Sequence, residues 1–348
     1  MSAPSMVVLM CALSIAPVPA LAQKLDWQKL PAIPDKIGFA GSFAGTSGDV
    51  LLVAGGANFP GKLPFKGANG KVWYDSVFAL TKPEGPWISA GQLPAPRGYG
   101  VSVSTPEGLL LVGGSQAEQH LADVVLLTWK DGKLGVVPHS QLPHAIANAC
   151  GTLVGDTIYI AGGIQKPDAS EALHTFLAFD LKAKEKTWRK IDAWPGSGRM
   201  LSVAAAHDGA FFLFGGAALH VGPSGTPERA WLSDAYRYHP QDGWKKLADA
   251  PRVAVAAPSP APVVEGKILI LGGDDGAQVK VPNNEHRGFP RDVLAYEPAR
   301  NRWQRAGEMP FSHVTTSTAI WQKRIVIPGG EIQPGVRSTE VWGAETKP

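Results

Sequence analysis

Near its C-terminal end the chain reads GGEIQPGVRSTEVW, which sets Glu331 and Arg337 with five residues between them. A positioned carboxylate can take a proton from a hydroxyl, an effect of roughly a hundred- to ten-thousand-fold. The planar fork of an arginine matches a carboxylate ligand. Arg97, Arg199 and His313 each follow a proline within a few residues, with Asn148 deeper in its own segment. Asn58, Ser115, Gln165, Asp274 and Glu331 each follow a Gly-Gly pair. If these positions meet, they place one carboxylate among several cations, with a second acidic point at Asp274-Asp275. Such a set suits proton transfer on a small anionic molecule. Each residue also has a plainer reading. Glu331 and Arg337 can form a loop ion pair. Arg97 and Arg199 can bond loop carbonyls, and His313 can be a polar residue of the packing. Asp274-Asp275-Gly276 has the composition of a turn.

The elements that would bring them together are repeats. The octapeptide WQKLPAIP at 27–34 recurs as WISAGQLP at 87–94, WRKIDAWP at 188–195, WKKLADAP at 244–251 and WQRAGEMP at 303–310. A degenerate copy, VVPHSQLP at 136–143, has Val136 in place of the tryptophan. Apolar runs ending in Gly-Gly also occur six times, closing at Gly56, Gly114, Gly163, Gly216, Gly273 and Gly330. Each run reads as a buried strand bounded by glycine. The period of roughly fifty to sixty residues is that of a propeller blade. Every Gly-Gly but the last is followed by an octapeptide, and the first octapeptide has no Gly-Gly before it. The two ends therefore complete one blade, and the N-terminal strand supplies its outer edge. The expectation is an all-β, six-bladed propeller over 23–348. Residues just past each proline and each Gly-Gly should converge on one mouth of its channel. The recurring tryptophans should pack between blades.

The remaining sequence narrows the class. The 348 residues include 40 Gly and 30 Pro, with 18% charged side chains and a net charge of +3. No basic block points to nucleic acid. Met1 to Gln23 is uncharged, contains MVVLMCALSI and ends in ALAQ, the pattern of a signal peptide over 1–22 with Gln23 as the first mature residue. A run this short is a poor membrane span. Cleavage would leave Cys150 alone, in an apolar segment. That precludes an intrachain disulfide and a metal site built on several thiolates.

The repeats resemble kelch repeats. GFAGSFAG, LLVAGGANFP, VWYDSVFAL, RGYGVSVS and GGEIQPGVRSTEVW further resemble the sialic acid mutarotases, the N-acetylneuraminate epimerases, and their order resembles a cyclically permuted branch. The resemblance covers 24–343. It implies a periplasmic, cofactor-free isomerase that interconverts the anomers of N-acetylneuraminate or a similar acidic keto-sugar. Glu331 would be the base. Arg337 and Arg199, with Arg97, Asn58 and His313, would hold the substrate, and no metal is expected. The second proton carrier stays open between His313 and a water. The competing class is an exported kelch propeller that binds a glycan or protein without turnover. No Asp-box turn of the sialidase type is present, and a single mature cysteine argues against a kelch-type copper radical oxidase. The oligomeric state is not legible.

Overall fold

The computed structural model describes residues 25–62 and 70–346. The expected signal segment 1–22 and Gln23 lie outside the described residues. Six four-stranded antiparallel sheets follow one another along the chain. The second, for example, runs through Val101–Thr105, Gly108–Ser115, His120–Lys130 and Lys133–Gln141. The innermost strand starts after an octapeptide, the second ends at Gly-Gly, and the octapeptide itself supplies the outermost strand. The sixth sheet is closed by the N-terminal strand. Trp27–Leu30 pairs with Val341–Glu345, which pairs in turn with Arg324–Pro328. The pairing covers the edge that Val341–Glu345 would otherwise expose and gives the N-terminal strand a partner.

Each apolar run is buried because both of its faces meet neighbouring blades, so it reads as continuous rather than alternating. The core is accordingly six wedges. Val203, Phe212, Ile270 and Tyr296 fill the wedge between the fourth and fifth blades. Ile33, Phe39, Leu51, Trp321 and Val326 fill the one between the sixth and first. The octapeptide tryptophans staple adjacent outer edges. Trp87 Nε1 donates to the Pro31 carbonyl (2.8 Å), Trp244 to Asp192 (2.7 Å) and Trp303 to Ala248 (2.9 Å), each on the preceding octapeptide. Trp188 donates to Ser140 Oγ of the degenerate copy at 3.0 Å. Cys150 is buried, and burial pushes its thiol up to about 12.

The channel carries the feature that fixes the site. Six single bridges tie the end of each octapeptide loop to the residue after a Gly-Gly: Ala40 to Ala57, Gly98 to Ser115, Ala147 to Ile164, Met200 to Ala217, Val255 to Asp274 and Val314 to Glu331. The next residue in each loop has a left-handed backbone: Gly41, Tyr99, Asn148, Leu201, Ala256 and Thr315, with φ between 54° and 66°. Their amides hydrogen-bond in a closed circle. Tyr99 N–H donates to Gly41 O, Asn148 to Tyr99, Leu201 to Asn148, Ala256 to Leu201, Thr315 to Ala256, and Gly41 back to Thr315, all at 2.7–2.8 Å. Strands alone would not place six backbone groups at the axis. This circle pairs them, as buried amides require.

Candidate active site

Above the amide circle lies a cleft of about 1010 Å³. Below it a channel of about 70 Å³, lined by Ser42, Ser102, Cys150, Ser202 and Thr316, has room for a few waters and not for a sugar. The cleft is the size of a ligand pocket. Its walls grow from the same place in each blade, just past Gly-Gly. In the first blade the chain rises as a hairpin, Ala57–Asn58 against Val72–Trp73, in the fourth as Ala217–Val221 against Pro227–Trp231, and in the sixth as Glu331–Gln333 against Val336–Arg337.

The last hairpin explains the GGE-x5-R spacing. Glu331 and Arg337 are cross-strand partners, and the turn between them passes through Gly335 with φ 80°. Gly330, at φ 107°, cannot carry a side chain, because a Cβ would lie 2.9 Å from the Val314 carbonyl. Arg337 Nη1 stands 2.7 Å from Glu331 Oε1. The contact is Coulombic rather than an aligned hydrogen bond, for Nη1 has no hydrogen-bond partner among the described residues. Arg337 Nε donates to the Ala57 carbonyl at 3.2 Å, and the guanidinium lies 5.1 Å from the centre of the Phe59 ring. The Gly335 amide donates to Glu331 Oε1. Among the described residues Oε2 accepts no hydrogen bond, which leaves it available as a proton acceptor.

Three further groups line the same cleft. Lys71 Nζ sits 4.7 Å from the centre of the Tyr99 ring and 5.2 Å from that of Trp73. Its ammonium is pushed below the usual lysine range by crowding first and by the Arg337 charge second, against the opposing pull of Glu331. Tyr99 has a buried hydroxyl without an aligned hydrogen-bond partner among the described residues, and burial pushes the phenol up to about 12 against the charge and contact of Arg337. His120 lines the wall, with both ring nitrogens unpartnered and its pKa lowered by burial. Arg229, on the fourth-blade hairpin, adds a cation at the rim. Among the described residues, no group of three or more His, Cys, Asp or Glu side chains could hold a metal.

The structure thus brings Glu331 and Arg337 into the cleft and leaves the other four expected site residues elsewhere. Arg97, Arg199 and His313 occupy one equivalent position, immediately before the bridged residue. The other three blades place Phe39, Ile146 and Ala254 there. All six are buried. The left-handed residue two positions on breaks the strand alternation, so these side chains are buried in the blade and that later residue faces the mouth. Arg199 makes a two-pronged contact with Asp234, Nη1 to Oδ1 and Nη2 to Oδ2, both 2.8 Å, and Nη1 also reaches the Gly215 carbonyl at 3.0 Å. Arg97 pairs with Asp123 at 2.8 Å. Arg252 makes the corresponding pair with Asp292 in the fifth blade. These arginines tie the octapeptide loop to the third strand. His313 packs on Phe311 with both nitrogens unpartnered, and burial lowers its pKa to about 4, so it is neutral. Asn58 is buried, donating to the Gly38 carbonyl and accepting from the Tyr74 hydroxyl. Asp274-Asp275-Gly276 is a turn, with Asp274 Oδ1 accepting from the Gly276 amide at 2.9 Å.

A family model described as N-acetylneuraminate epimerase matches residues 14–136 and 139–281. Glu331 and Arg337 lie beyond the matched residues. An N-acetylneuraminate epimerase of Haemophilus influenzae (strain 86-028NP) is 32% identical over 229 residues, 58% of this chain and 58% of that protein. One of Yersinia pestis (strain Pestoides F) is 37% identical over 233 residues, 59% of this chain and 56% of its own. The chain thus spans less than two thirds of the length of these relatives. The solved structure of YjhT superposes with a TM-score of 0.64 at 16% identity, over 90% of this chain and 95% of that one, a likeness of fold. On the family match, which covers most of its length, this chain belongs to the N-acetylneuraminate epimerase family.

Proposed function

We propose that the protein is a mutarotase for N-acetylneuraminate or a closely similar acidic keto-sugar. The observation that carries this reading is the Glu331–Arg337 pair at the cleft wall, with the Lys71 ammonium close enough to feel both charges. The guanidinium and Lys71 supply positive charge for the sugar's carboxylate. Charge-assisted bonds of this type contribute about 1.5–3 kcal/mol each. The Oε2 atom of Glu331 takes the proton of the anomeric hydroxyl. As the ring C–O bond breaks, its electron pair moves to the ring oxygen, which must receive a proton. The keto carbon then presents its other face, and closure returns both protons. No redox change and no covalent enzyme adduct are involved. The cluster of polar groups at one end of a channel blocked by the amide circle suits a small ligand better than a protein partner.

The test is a proton NMR time course starting from freshly dissolved α-anomer, read as the excess over spontaneous exchange in buffer. A clear excess is expected. A wild-type rate equal to buffer, with the sugar still bound, would leave a binding propeller in place of an enzyme. We further propose export to the periplasm, resting on the uncharged apolar segment that ends in ALAQ. Mass spectrometry of protein from its host should find Gln23 at the N-terminus, and an intact Met1 would refute export by cleavage.

A further inference from the structure

Opening the sugar ring needs a proton for the ring oxygen, and Glu331 cannot both take one and give one in the same step. The geometry points to Tyr99 as the residue that donates it, an assignment that rests on the mutarotase reading. Six equivalent positions face the axis, and their side chains are those of Gly41, Tyr99, Asn148, Leu201, Ala256 and Thr315. Tyr99 alone among them carries an ionisable group. It sits in the RGYG stretch, which the Glu331–Arg337 pair leaves unused.

Several observations converge on its hydroxyl. Tyr99 lines the same cleft wall as Glu331 and Arg337. The hydroxyl is buried and has no aligned hydrogen-bond partner among the described residues, although the Arg337 guanidinium comes near enough to act on it. A buried polar group left unpaired calls for an explanation, and a ligand atom supplies one. Burial keeps the phenol protonated at neutral pH, with Glu331 adding to the rise and Arg337 opposing it. The ring is fixed from both sides. Lys71 lies on it at 4.7 Å, and Gly41 leaves the space it fills, since a Cβ there would come within 2.6 Å of the ring. The backbone at Tyr99 is left-handed, with φ 60°. That conformation comes with the amide circle, but a bulky aromatic tolerates it less well than Gly or Asn would.

The cycle balances. Glu331 accepts the anomeric proton, the ring C–O bond breaks, and the Tyr99 O–H proton passes to the former ring oxygen. Closure on the opposite face reverses both transfers. The phenolate takes the proton back, the protonated Glu331 returns its own to the new anomeric oxygen, and Arg337 and Lys71 stabilise the phenolate meanwhile.

The test is Tyr99→Phe, which keeps the ring and removes only the hydroxyl oxygen. The variant should fold and melt close to the wild-type temperature, because no aligned hydrogen bond is lost, only the contact with Arg337. Excess anomer exchange should fall at least about a hundredfold, with sugar affinity held within about threefold. Tyr99→Leu should lose exchange equally. If the ring were only packing, Phe would match wild type and Leu would not. A Phe variant that keeps wild-type exchange, or that melts well below wild type, overturns the assignment and leaves the mutarotase reading standing. Absence of excess exchange in the wild type overturns both.

Discussion

Replacing Arg199 by methionine tests the division between structural and functional arginines. The guanidinium is fully buried and joins Asp234 by two bonds of 2.8 Å, with a third to the Gly215 carbonyl. Its removal strands a carboxylate whose side chain is only 20% exposed. Breaking such a pair from one side costs about 3–5 kcal/mol. An unfolding entropy of about 2.1 cal/mol/K per residue makes this a fall in melting temperature of roughly 5–8 °C for a domain of this size. Scanning calorimetry would read it. Adding Asp234→Leu should recover part of the loss, because an apolar pair of similar volume needs no partner. The acid limb carries a second signature. Burial by itself would raise the Asp234 carboxyl, but the Arg199 bonds and charge, with the Tyr236 hydroxyl, hold it below the usual value. A depressed acid contributes stability that is present above its unfolded pKa of about 4 and is lost as pH falls through the folded value. Arg199→Met should remove that part of the acid sensitivity. Sugar affinity of the folded variant should be unchanged. An Arg199→Met protein that melts like wild type but binds the sugar poorly would refute this account and return Arg199 to the site.

Three other outcomes follow from the same geometry. Glu331→Gln should lower excess exchange by about two to four orders of magnitude while the sugar still binds, whereas Arg337→Lys should weaken binding by losing the fork, both read by NMR. Deleting 25–34 removes the strand Trp27–Leu30 and the Ile33 plug, unpairing Val341–Glu345. Cooperative unfolding by circular dichroism should be lost, and a truncated chain that melts like the full one would sink the closure. His313, held by burial at about 4 against an unfolded value of about 6.5, makes the fold lose stability as pH falls from neutral, since the unfolded chain binds the extra proton. By pH of about 5 the loss should be about 2 kcal/mol, and His313→Leu should flatten it in denaturant titrations.

Much of the architecture was written in the repeats. Blade number, the order of strands and closure by the first strand all follow from two phased marks, and both recur often enough to outvote a degenerate copy such as VVPHSQLP. The Glu331–Arg337 hairpin was legible for a different reason. Its spacing and its Pro334-Gly335 turn are local, so no long-range information is needed to see that the two side chains meet.

The loop residues Arg97, Arg199 and His313 are placed away from the cleft by the backbone turn that follows them. The loops do converge on one mouth, but the residue that faces the axis is the left-handed one two positions on, after the bridged residue. Arg97 precedes Gly98 and Tyr99, and the bridge at Gly98 sets which of the three reaches the cleft. That bridge, and the amide circle beyond it, are made by backbone groups that every residue possesses, so side-chain identity does not reveal them. Charge was misleading for the same reason. An arginine beside the axis looks like an anchor until its aspartate is found one strand away, as Asp123, Asp234 and Asp292 are. In this propeller, then, Arg97, Arg199 and Arg252 join strands, and the proposed site is built from the hairpins past Gly-Gly and the axis-facing position that Tyr99 holds.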